Sequence, residues 1–217
     1  MKTLKYIALG VILSSLVFSS FSFYPSKNIP IQSETVTFSE TYTQQEVISN
    51  LDKDDQLFTW VILEDTYPES SRIGRCHQDN MGDLWNYVRS EAFRTKVQED
   101  LIIVDGAEVR DHMVSLYTIK RSASKDVFPS GQDLEEVSIS REEDEENYML
   151  LFSFSESGAE KWASMTRLNV GKDIAILFDG KVISAPRLSE EIKNGECAIS
   201  GKFTESEINE LKTIFEN

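Results

Sequence analysis

His77 and His112 are the only histidines in the chain, and they do not form a metal-spaced pair. Cys76 adjoins His77; on a strand the two side chains would point to opposite sides, and in a loop both remain free. Gly171-Lys172 resembles the end of a phosphate loop, but no glycine stands five positions earlier and Asp173 follows instead of Ser or Thr. The acidic run Glu142 to Glu146 lacks the alternating ligands and central glycine of a calcium loop, so it reads as a solvated linker. Neither Gly-x-Ser-x-Gly nor His-Glu-x-x-His occurs, and carboxylates are too numerous to single out a pair. The sequence therefore names no catalytic residue, no metal ligand and no cofactor, and the chain is expected not to be an enzyme.

Cys76 and Cys197 are the two cysteines. In an exported chain they can form a disulfide, yet their separation carries no spacing signature. The other reading makes Cys197 a small buried apolar residue and Cys76 a loop thiol.

Export is suggested by the N-terminus. Lys2 and Lys5 precede an uncharged apolar run from Tyr6 to Phe18, and small residues follow at Ser20-Phe21-Ser22. Residues 1–22 read as a signal peptide or an N-terminal anchor, since Leu4 to Tyr24 is about long enough to cross a bilayer if uncut. No cysteine lies near the cleavage site, which excludes a lipid-modified anchor. The expected location is the periplasm or cell envelope, soluble after cleavage or held by that segment. With 22 basic and 37 acidic residues the net charge is -15. Such a chain repels phosphate backbones and anionic lipid surfaces, so nucleic acid is excluded as a partner and membrane contact is confined to an uncleaved leader.

The elements that position these residues follow from periodicity. Residues 23–56 read as a linker or peripheral segment. In a first unit, 57–122, the apolar run Leu57 to Glu64 predicts a buried strand, followed by a polar loop containing Pro68, Gly74, Cys76 and His77. Asp79 caps an amphipathic helix over Met81, Leu84, Trp85, Val88, Phe93 and Val97, with a break near Ser90. Leu101 to Val104 and Met113 to Lys120 pair about a turn at Asp105-Gly106. An acidic connection, 123–147, leads to a second unit, 148–217.

There Tyr148 to Phe154 is a strand, Ser155 or Ser157 caps a helix over Trp162, Met165 and Leu168, and Gly171 stops it. Asp179-Gly180 joins Ile174–Phe178 to Val182–Ser184 as a type I′ hairpin. Pro186 ends that strand. A short helix at Ser189 to Lys193, a strand at Cys197 to Ser200 and a final helix with a Thr204-x-x-Glu207 capping box complete the unit. Strand-helix-strand-strand order occurs twice. The fold class is α+β, with two small antiparallel-sheet units and helices packed on one face.

One set of residues carries a family resemblance. It includes Gly158-Ala159, Trp162, Thr166, Asn169-Val170-Gly171-Lys172, Ile174-Ala175-Ile176, Asp179-Gly180 and Ser184-Ala185-Pro186. It continues through Ile192, Gly195, Ile199-Ser200-Gly201 and Phe203-Thr204. Their order and spacing resemble the head of the first periplasmic domain of SecD and fused SecDF protein-export subunits. Leu84 to Val104 with Leu116 to Lys120 resembles fused SecDF proteins more weakly. In that family a bundle of membrane helices follows the head and couples proton flow to export. The resemblance is confined to the soluble portion, so it assigns no proton-coupling role to any residue of this chain.

The resemblance implies a non-enzymatic exported module that contacts unfolded polypeptide or export machinery, in or near protein export across the bacterial inner membrane. Strand addition at a sheet edge is one mode of contact. The hairpin tip Asp179-Gly180-Lys181 and the segment Ser184-Ala185-Pro186 are the places to look for it. Structural roles compete at each matching position: Gly158, Gly171, Gly180, Gly195 and Gly201 suit turns and caps, Pro186 an edge, Asn169 a C-cap, and Trp162 and Phe178 the core. A different reading is an envelope structural or interaction protein that kept the fold without an export role.

Overall fold

A computed structural model describes residues 8–9, 36–64, 68–121, 128–141, 148–201 and 203–216. The expected cleavage site at 20–22 and the acidic run 142–146 lie outside the described residues. In chain order the first elements are β1 (Ala8–Leu9), β2 (Thr37–Glu40), α1 (Gln44–Ile48), α2 (Leu57–Trp60), β3 (Val61–Leu63), β4 (Arg72–His77), α3 (Met81–Arg89) and α4 (Glu91–Arg94). They are followed by β5 (Leu101–Arg110), β6 (Met113–Lys120), β7 (Leu134–Arg141), β8 (Tyr148–Phe154) and α5 (Glu156–Leu168). The last are β9 (Ile174–Phe178), β10 (Lys181–Ser184), β11 (Glu196–Gly201) and α6 (Glu205–Glu216). The architecture is α+β, as the element order implied.

A four-stranded sheet has the order β1-β11-β8-β7, and a seven-stranded sheet the order β2-β9-β10-β5-β6-β4-β3. Neighbours are antiparallel except β1 with β11 and β10 with β5. The larger sheet curls until β2 meets β6. Thr41 bridges Ile119, the Tyr42 N–H donates to the Thr118 carbonyl at 3.3 Å, and Thr118 Oγ1 donates to the Tyr42 carbonyl at 2.6 Å. Inside the curl lie Val104, Ile119, Ala175, Leu177 and Val182. Ile174 and Ile176 face the other way, into a second core with Phe38, Phe152, Phe154 and Trp162. The Phe38 ring lies 5.3 Å from Trp162 and 5.4 Å from Phe154, both edge-on. A third core, beneath α2, α3 and α4, gathers Leu57, Ile73, Leu84, Phe93 and Leu116.

Local chemistry explains where elements start. Ser155 Oγ accepts the Gly158 N–H and opens α5, and Thr204 with Glu207 forms the expected capping box of α6. Ser90 divides the third helical segment, since its carbonyl accepts the Arg94 N–H while its hydroxyl donates to the Tyr87 carbonyl. Asp179 and Gly180 have φ of 49° and 73°, the pair of positive values a type I′ turn demands.

Four stretches differ from the sequence reading. Leu57 to Trp60 is a helical turn, because buried Asp55 accepts the Leu57 N–H at 2.9 Å on its side chain and the Phe58 N–H at 3.0 Å on its carbonyl, which turns the chain there and leaves only Val61–Leu63 as strand. The polar loop before Asp79 contains β4, whose Ile73 and Cys76 are buried as it pairs with β6. The hairpin after β5 turns at Asp111-His112, with φ of 51° and 62°; Asp105-Gly106 is an irregularity within β5 that lets Gly106 pair with Val182. Residues 189–193 are irregular, held by burial of Ile192 and its N–H bond to Thr166 Oγ1 at 3.0 Å.

Candidate functional site

An open cleft of about 420 Å³ lies between α1 and the loop that follows α5, lined by Thr43, Gln45, Glu46, Glu69, Val170 and Lys172. One wall is α1. Thr43 Oγ1 accepts the Glu46 N–H at 3.1 Å while Glu46 Oε2 accepts the Thr43 N–H at 2.7 Å, a complete capping box. The N–H groups of Gln44 and Gln45 then donate to the carbonyls of Ser70 and Pro68, which docks 68–71 beside the helix.

The facing wall begins at the α5 C-terminus. Asn169 Nδ2 donates to the Met165 carbonyl and to Glu40 Oε1, both at 2.8 Å, and Gly171 turns with φ of 80°. Gly171 N–H donates to the Leu188 carbonyl and Leu188 N–H to that of Lys172, so the segment after Pro186 backs this wall. Lys172 Nζ reaches across to Glu46 Oε1 at 3.1 Å. Partial burial works to raise the Glu46 carboxyl, but the Thr43 N–H and Lys172 outweigh it and hold the group below its usual range.

Asp173 fastens the far side. Its buried carboxylate accepts the Ser71 N–H at 2.6 Å and the Ser70 hydroxyl at 3.3 Å, and its carbonyl accepts Thr41 Oγ1 at 2.7 Å. Arg187 Nη1 lies 3.8 Å from Asp173 and donates to the Glu69 carbonyl at 3.1 Å. Val170, in the lining, is 49% exposed, and Leu168, two residues before it at the end of α5, is 68% exposed. Ile62, on edge strand β3, is the third large apolar side chain exposed among the described residues.

The residues singled out in the sequence are divided between the two ends of β9. Asp179 is the exposed hairpin tip and Gly180 is buried behind it. Lys181 pairs with Asp105 at 3.6 Å across the parallel β10–β5 seam. Ser184 is buried, Ala185 packs against the core inside the curl, and the buried Pro186 gives its carbonyl to the Ile174 N–H at 3.0 Å. Only the Pro186 end adjoins the cleft. Residues 43–46 and Glu69 were not singled out, although Thr43-x-x-Glu46 is a legible capping box.

Cys76 and Cys197 are both free and buried. The disulfide does not form, because Cys76 belongs to the core under α3 and Cys197 to the core around Trp162. Nor is Cys76 a loop thiol; it lies on β4. The His77 and His112 rings stand 5.9 Å apart beside the Asp111-His112 turn. Among the described residues no group of three or more potential metal ligands forms, and no helix is long and apolar enough to cross a membrane.

Residues 99–217 match the family model described as the SecDF P1 head subdomain. This chain belongs to that family. A protein translocase subunit SecD from Acidaminococcus fermentans is 35% identical over 123 residues, covering 54% of this chain and 29% of that protein. Its counterpart from Leptotrichia buccalis is 27% identical over 164 residues, covering 66% of this chain and 40% of the relative. The matches thus span well under half of each relative's length. A solved structure of SecDF, described as a membrane component that enhances protein export, aligns at 17% identity with a TM-score of 0.41, over 85% of this chain and 63% of that one.

Proposed function

We propose that this protein is a non-enzymatic exported module that contacts polypeptide in or near protein export across the bacterial inner membrane. Its partners are unfolded segments in transit and the export machinery, and it works in the periplasm or cell envelope. Membership of the SecDF P1 head family supports the setting, since the relatives named above are translocase subunits. The observation that carries polypeptide contact is the exposure of Val170 in the lining of an open cleft, with Leu168 exposed two residues before it at the end of α5. Neighbouring exposed apolar side chains beside a concavity gain from covering by an apolar partner, and an unfolded segment offers such side chains. The role asks no bond-making of the protein, only a surface held in place by the α1 capping box and Asp173.

A photocrosslinking residue at Val170, introduced in cells, tests this. Crosslinks to exported precursors in transit are the expected result. Crosslinks confined to resident envelope proteins would sink the proposal and favour an envelope structural role.

A further inference from the structure

We infer that the cleft between α1 and the end of α5 selects extended polypeptide segments in which a basic side chain neighbours an apolar one, an inference that rests on the polypeptide contact proposed above. Val170 lines the cleft and Leu168 stands exposed near it, which supplies the apolar half of the site. The charged half follows from which groups are already engaged. Lys172, the cation in the lining, is held by Glu46 at 3.1 Å. Arg187, exposed in the segment after Pro186, is engaged by the Glu69 carbonyl and by Asp173. Glu46 in turn is bound by both Lys172 and the Thr43 N–H. Glu69 remains, an exposed carboxylate that lines the cleft and enters no ion pair among the described residues.

The charge the cleft offers an occupant is therefore negative, and it stands beside an apolar wall. The net charge of -15 acts in the same direction at longer range, slowing the approach of acidic segments and favouring basic ones. The volume of about 420 Å³ lies in the range of sites that enclose a small ligand, so it suits a few side chains of an extended segment and not a folded surface.

The test uses the full chain and three fluorescent unfolded peptides of one leucine-containing sequence, carrying Lys, Ser or Glu at the same positions. Anisotropy titrations are expected to rank Lys above Ser above Glu, with Lys favoured over Glu by about fivefold, the scale of an exposed ion pair, and the ratio falling as salt is added. Glu69→Gln should abolish the preference for Lys over Ser and leave the Ser peptide unchanged. Val170→Ser should weaken all three. Equal binding of the three peptides, or a Lys preference that survives Glu69→Gln, overturns the selectivity while leaving polypeptide contact standing. Failure of all three peptides to bind overturns both.

Discussion

Lys172 Nζ lies 3.1 Å from Glu46 Oε1, so one ion pair joins the loop after α5 to the first turn of α1 across the cleft. Both side chains are partly exposed, which limits the pair itself to a few tenths of a kcal/mol up to about 1 kcal/mol. Glu46 does more than pair, because it also accepts the Thr43 N–H. Glu46→Ala, which removes both contacts, is therefore expected to cost more than Lys172→Met, about 1 kcal/mol against roughly half that. Its carboxyl is held below the usual range, so this stability is present above the ordinary glutamate pKa and is lost as pH falls through the folded value. Urea unfolding of both variants at neutral and acid pH checks the order. Equal losses at neutral pH would show that the capping contact contributes nothing.

Asp55 is a second carboxylate on which local structure depends. Its buried side chain accepts the Leu57 N–H at 2.9 Å, the Tyr87 hydroxyl at 2.8 Å and Lys96 Nζ at 2.6 Å. Burial alone would raise its pKa, but Lys96 and these donors prevail and lower it. Asp55→Ala strands a buried hydroxyl and a helix N–H, and is expected to cost about 3 kcal/mol. Because the folded pKa is depressed, the contribution is complete above the ordinary aspartate value and disappears in acid. Calorimetry should show the variant's deficit shrinking as pH is lowered.

Much of this arrangement could be read along the chain, but not all of it. Short-range signals were sufficient for the Asp179-Gly180 hairpin, the Ser155 cap and the Thr204 box, because each is decided within a few residues. The cleft is decided elsewhere. Asp173 holds Ser71, 102 residues away, and Thr41 reaches the Asp173 carbonyl. No local pattern reports such pairings. Asp105-Gly106 shows the same limit: it has turn composition, yet the parallel partner Val182 keeps it in β5 and moves the turn to Asp111-His112.

Gly158 illustrates how a residue expected at a cap can serve packing. It lies inside the first turn of α5, where an added Cβ would sit 2.7 Å from Asp133 Cβ and 2.9 Å from the Asp133 carbonyl oxygen. Gly158→Ala should force the helix from that turn and cost about 2 kcal/mol. Gly82, in α3, has nothing within 4 Å of the same added atom. Gly82→Ala should instead stabilise by about 0.5 kcal/mol through helix propensity. Opposite shifts in thermal midpoint are the expected outcome, and a neutral Gly158→Ala would show that the approach to Asp133 relaxes freely.

The two free thiols give a direct chemical readout. Burial pushes the Cys76 thiol up to about 11 and raises Cys197 still further. The native protein should therefore react slowly with a thiol reagent, and both cysteines should react once it is unfolded without reductant. Recovery of fewer than two thiols per unfolded chain would mean that a disulfide forms after all.

Lys181 and Asp105 form the most enclosed ion pair described, at 3.6 Å, on the seam where β10 runs parallel to β5. Burial raises the Asp105 carboxyl, and Lys181 only partly offsets that. Removing the cation should therefore be worse than removing the anion. Lys181→Met leaves an unpaired carboxylate and is expected to cost about 3 kcal/mol at neutral pH. Asp105→Asn should stay within about 1 kcal/mol of wild type, and adding it to Lys181→Met should restore most of the loss. The pH dependence has a definite sign. A carboxyl whose folded pKa is raised favours the fold when protonated, and that advantage is lost as pH rises through the folded value. The deficit of Lys181→Met should thus be small in acid, grow as Asp105 ionises, and level off above that pKa. Denaturation midpoints measured across this range, with the double variant alongside, decide the matter. A deficit independent of pH would mean that Lys181 contributes through the packing of its stem and not through its charge.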